Sequence, residues 1–76
     1  MSPKDLFDKL VEASELSPIF ARSSLSRALR RAGVDADSLT PARLEAALPE
    51  IRRTIAPFVE ARLDAAMLKI ERLCKG

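Results

Sequence analysis

A chain of 76 residues that is 47% hydrophobic and 32% charged accommodates one small globular domain, residues 1–76, and is too apolar to stay disordered. It contains no His and one Cys, which excludes a His/Cys zinc site, a disulfide framework and imidazole-based catalysis within a single chain. The net charge is +2 and the pI about 9.1, yet two charges produce such a pI in a nearly balanced chain and do not by themselves point to nucleic acid.

Helix signals dominate. Ala, Leu, Arg, Glu and Lys are abundant, Trp and Tyr are absent, and no stretch alternates in the period of a strand. Three times a hydroxyl residue precedes a proline: Ser2-Pro3, Ser17-Pro18 and Thr40-Pro41. Each pair reads as an N-cap followed by Pro at the first helical position, where the missing N–H would have no partner anyway. The same pairs resemble proline-directed phosphorylation sites, but capping explains all three with one cause.

The first helix is expected over about 3–14, with Leu6, Phe7, Leu10 and Val11 on one face and Lys4, Asp8, Lys9 and Glu12 away from it. A second helix, 18–32, carries the narrow stripe Ala21, Leu25, Ala28, Leu29 and Ala32, and ends at Gly33 as a left-handed C-cap with Val34 folding back. Ile19 and Phe20 fall off this stripe. A third helix, 41–48, begins with Leu39 and Leu44 in the positions of a hydrophobic staple. Pro49 opens a further segment, 50–56, and Pro57 implies a kink or break near Ala56. The last helix, 58–74, carries Val59, Leu63, Ala66, Ile70 and Leu73 at spacings 4, 3, 4, 3, flanked by Met67. The expected fold is therefore all-α, a small bundle of four to five short helices with a longer C-terminal helix. Its core is expected to hold Leu6, Leu10, Leu25, Leu29, Leu44, Leu48, Ile51, Ile55, Val59, Leu63 and Ile70, with at least two of Phe7, Phe20 and Phe58 buried.

Charge is distributed unevenly. Residues 16–34 hold four Arg and no acid, between two segments of net −2. Arg27, Arg30 and Arg31 are spaced three and four apart, as one helical face requires, and with Arg22 they could contact phosphates or an acidic partner. The competing reading is a solvated helix end whose arginines suit the dipole. A helix-turn-helix fits poorly, because the connection from Gly33 to Thr40 is about twice the 3–4 residues that motif prefers. Asp35 and Asp37 begin like a calcium loop, but Leu39, Thr40 and Ala46 stand where an oxygen ligand, the Gly and the closing Glu belong. The carboxylate pairs Asp35/Asp37 and Glu60/Asp64 have no evident apolar pocket, and Cys74 has no His to activate it.

These readings point away from an enzyme and from any cofactor, metal or small-molecule substrate. The expected function is a non-enzymatic helical interaction module, an adaptor or regulatory subunit. It would form a homodimer or bind a partner helix through Val59, Leu63, Ala66, Met67, Ile70 and Leu73. The alternative is a small nucleic-acid-binding protein using Arg22, Arg27, Arg30 and Arg31. With no membrane span and no signal peptide or lipidation motif in the sequence, a soluble cytoplasmic protein is expected.

Overall fold

The computed structural model describes residues 2–75, which form an all-α domain with no strand among them. Its elements in order are α1 (Pro3–Ala13), α2 (Pro18–Arg31), a 3-10 turn (Ala36–Ser38), α3 (Pro41–Val59), a second 3-10 turn (Glu60–Arg62) and α4 (Leu63–Cys74). α3 packs between α2 and α4, and α1 closes the ring by packing against both of those helices. The first 3-10 turn lies against α1 and α2. None of the described helices is long and apolar enough to cross a membrane.

Two of the three hydroxyl caps act as the sequence implies. Ser2 accepts from the Asp5 N–H at 3.2 Å, and Thr40 accepts from the Arg43 N–H at 3.2 Å. Ser17 stands at the cap position of α2 without a side-chain cap bond. α2 ends in the expected left-handed turn: Gly33 has φ +79°, its N–H donates to the Arg30 carbonyl, and the Val34 N–H donates to the Leu29 carbonyl at 2.8 Å. Val34 is buried behind that turn, as is Leu39 beside Leu44 at the entry to α3. Within the first 3-10 turn an Asp35 carboxylate oxygen accepts from the Asp37 N–H at 3.0 Å, so Asp35 caps local backbone.

The division of the C-terminal half differs from expectation. Residues expected as two helices, 41–48 and 50–56, form one 19-residue helix that passes through Pro49 and Pro57. This α3, not the C-terminal helix, is the longest element. Both prolines are exposed, and the carbonyls they leave without a donor belong to Glu45 and Arg53, also exposed. Water can replace the missing donor on that side, while the opposite side of α3 buries Leu44, Ala47, Ile51, Ile55 and Val59. Burial of such side chains, at about 1.5–3 kcal/mol for each large one, outweighs two lost hydrogen bonds. The chain breaks instead three residues after Pro57, where Glu60 takes φ +45° and the 3-10 turn leads into α4.

Glu60 is exposed, and that backbone conformation is strained for any residue with a Cβ. Glu60→Gly is therefore expected to stabilise the domain by about 1 kcal/mol, read as a rise in the denaturant midpoint with no change in slope. Glu15 also has positive φ, +62°, at the end of α1. It differs from Glu60 in that its carboxylate reaches Lys69 at 3.7 Å and Arg62 at 3.9 Å, linking the α1–α2 turn to the middle of α4 and to the 3-10 turn before that helix. The buried Ser14 beside it is satisfied, its hydroxyl donating to the Val11 carbonyl at 2.7 Å.

The core draws Leu6, Leu10 and Val11 from α1, Leu25 and Leu29 from α2, Leu44, Ile51 and Ile55 from α3, and Met67 and Ile70 from α4. Leu48 and Leu63, expected inside, are half-buried at its edge. The aromatic expectation is corrected. Phe7 is buried, but Phe20 and Phe58 are 43% and 53% exposed. Phe20 lies off the buried stripe of α2 formed by Ala21, Leu25, Ala28 and Leu29, and Phe58 sits in the last turn of α3, so the two rings meet each other outside the core.

Candidate interaction surface

The C-terminal stripe expected to meet a partner meets the chain's own core. Val59, Ala66, Met67 and Ile70 are buried, and Leu63 and Leu73 are half-buried against them. The reason is economy of surface. A domain this small has few apolar faces, and α4 must cover both α1 and α3 to close the bundle. On the outside of α4 the large apolar side chain left exposed is Leu68.

The arginine cluster is divided by the structure. Arg22 donates to an Asp8 carboxylate oxygen at 2.7 Å, and its guanidinium carbon lies 5.9 Å from the centre of the Phe7 ring. It ties α2 to α1, a structural role. Arg27, Arg30 and Arg31 are exposed and form no ion pair among the described residues. They do not share one face. Arg30 borders a depression with Asp35 and Asp37 at the end of α2, whereas Arg27 and Arg31, one turn apart, line a groove between α2 and α3. The three-residue step to Arg30 and the four-residue step to Arg31 diverge by one residue, about 100° around a helix.

That groove is the feature sequence reading did not assemble. Its floor and walls include Phe20, Ser24, Thr54 and Phe58 beside the two arginines. Phe20 in the first turn of α2 meets Phe58 in the last turn of α3 with ring centroids 4.7 Å apart and planes at 65°, an edge-to-face pair. α2 and α3 therefore run antiparallel. The aromatic pair marks one end of the groove, and Arg31, at the other end of α2, marks the opposite one. Ile19, 90% exposed, stands beside Phe20. The one hint in the sequence was that Ile19 and Phe20 leave the apolar stripe of α2. No local pattern tied them to Phe58, 38 residues further on.

Thr54 adds a small instability to the groove. Its hydroxyl oxygen is sealed from solvent and has no hydrogen-bond partner among the described residues. Thr54→Val keeps the branched shape and removes the orphan, so it is expected to raise stability by about 1 kcal/mol, measured by thermal or urea unfolding.

Two of the groups considered for chemistry are engaged elsewhere. Asp64 pairs with Arg52 at 3.4 Å. Cys74 is half-buried, its thiol donating to the Ile70 carbonyl at 3.6 Å. Burial pushes its pKa up, and the nearby Glu45 and Glu71 carboxylates push it further in the same direction. A thiol held in its protonated form is a poor nucleophile. The α2–α3 groove itself carries rings, hydroxyls and guanidinium groups, which suit binding rather than proton transfer. Comparison of the chain with protein-family models, with curated proteins and with solved structures finds no match.

Proposed function

We propose that this chain is a non-enzymatic helical interaction module, an adaptor or regulatory subunit, that receives another protein on the face formed by α2 and α3. The observation that carries this reading is the exposure of Phe20 and Phe58, which pair edge to face at one end of that groove, with the exposed Ile19 next to Phe20 in sequence. Large apolar side chains grouped at the surface are more informative than scattered ones. The binding surface is thus moved from the C-terminal helix, whose apolar stripe is occupied, to the groove beside it.

The test is site-specific photocrosslinking in the host, with a benzophenone side chain at position 19. One dominant adduct, to another protein or to a second copy of the chain, is expected, and Phe58→Ser should abolish it. A benzophenone at Glu12, exposed on α1, controls for random encounter. An equal adduct pattern from positions 19 and 12 would remove the reading.

A second reading, nucleic-acid binding, draws support from Arg27, Arg30 and Arg31, which form no ion pair among the described residues. Arg22 is committed to Asp8, so about three phosphate contacts remain, which implies a log–log salt slope near −3. The aromatic pair and the acids next to Arg30 favour protein over a phosphate backbone. Absence of binding to generic duplex at about 50 mM salt would dismiss this alternative.

A further inference from the structure

Resting on the reading of the α2–α3 face as a binding surface, we infer that its occupant is an acidic amphipathic helix of a partner protein. Three properties of the groove argue for this. Its lining follows α2 from Phe20 to Arg31, with Thr54 and Phe58 of α3 on the other side, and along α2 that is a span of about 16 Å at 1.5 Å per residue. That suits a helix of about 15 residues laid lengthwise, one of the recurrent ways in which a groove takes a peptide.

Its chemistry is graded along that length. The end at Phe20 and Phe58 is apolar. The middle and far end present Arg27 and Arg31, without an acid anywhere in residues 16–34 to neutralise them. No acid lines the groove, and on α3 Glu50 is engaged by Arg53 at 3.6 Å. An occupant must therefore bring its own negative charge to one end and an apolar anchor to the other.

The spacing fixes the pattern. Arg31, Arg27 and Phe20 follow one another at four and seven residues along α2. A partner helix running antiparallel to α2 matches them with acids at positions i and i+4 and a large apolar residue at about i+11. In that orientation its acids occupy its own first turns, where the helix dipole favours them. The guanidinium groups gain carboxylate partners in a fixed fork geometry, and the partner's apolar residue covers the exposed edges of the two phenylalanines.

The experiment selects a phage-displayed library of random 16-residue peptides on the intact protein, with the Phe58→Ser variant as counter-selection. Selected peptides should share acids at i and i+4 with an apolar residue near i+11. Arg27→Glu, Arg31→Glu should weaken the best of them at least tenfold at 50 mM salt and less than threefold at 500 mM salt. Replacing the peptide's acids by Lys should restore binding to that variant. Arg27→Gln, Arg31→Gln, with circular dichroism to verify folding, repeats the test without charge reversal and should show a smaller loss in the same direction. Peptides that are apolar only, or indifferent to both arginine variants, would overturn the acidic partner and leave the groove as a binding surface. Selection of nothing, or of peptides that bind Phe58→Ser equally well, would overturn both readings. Duplex DNA that binds at 50 mM salt, displaces the peptides and is lost with the arginine variants would overturn the helix in favour of nucleic acid.

Discussion

Ile70→Glu is expected to unfold the protein. Ile70 is fully buried on α4, within the core that α1, α3 and α4 share. The substitution removes a packed side chain, worth about 2–5 kcal/mol, and leaves a carboxyl group in an apolar site at a further cost of several kcal/mol. A domain of 76 residues has about 4–11 kcal/mol of stability to lose at the usual 0.05–0.15 kcal/mol per residue. Loss of the far-UV helical signal and of any cooperative melt at 25 °C is the expected result. Leu68→Glu, two residues earlier on the same helix at a site 49% exposed, should change stability by less than about 0.5 kcal/mol. The pair distinguishes a helix whose apolar stripe is inside from one that offers it to a partner. A folded Ile70→Glu protein with an altered oligomeric state would put the stripe at an interface after all.

Leu29→Ala should destabilise the domain by about 3 kcal/mol without unfolding it completely. Leu29 is fully buried in the last full turn of α2, next to the buried Ala28, and its carbonyl receives the Val34 N–H that closes the C-terminal turn. Small neighbours cannot expand to fill the space, so the cavity term adds to the transfer term. For a domain of this size the drop corresponds to a melting temperature lower by about 12–24 °C, measured by circular dichroism or calorimetry. The backbone bonds of the Gly33 turn do not depend on the side chain, so amide exchange at Val34 should slow or quicken only with global unfolding. Selective exposure of that amide would show that Leu29 also holds the turn locally.

Much of the fold was legible because its causes are local. Ser2-Pro3 and Thr40-Pro41 start helices where the caps predict, and Gly33 ends one with the positive φ that only glycine adopts freely. The apolar spacings of α1, α2 and α4 identify the buried faces within a residue or two. Two local rules were overridden. Pro49 and Pro57 do not break α3, because both lie on its exposed side and the packed side holds the helix together. The break falls at Glu60, where nothing in the residue type announces a positive φ.

The candidate site was legible only in fragments. Arg27 and Arg31 were visible as basic residues, and Ile19 and Phe20 as misfits of the α2 stripe. Joining them to Phe58 and Thr54 required the antiparallel packing of α2 on α3, a long-range contact that no periodicity encodes. The same applies to the division of the arginines, since the acid that engages Arg22 lies on another helix.

Composition, caps and spacing thus establish that the chain is all-α, where most helices start, and which side chains prefer to leave water, because each depends on interactions within a few residues. Whether the apolar stripe of α4 faces its own core or another molecule is a competition between surfaces distant in sequence, and so is the fate of the three phenylalanines. Packing decides it: α4 is used to close a bundle that has little other core, and the rings of Phe20 and Phe58 pair with each other outside that core, beside Arg27 and Arg31.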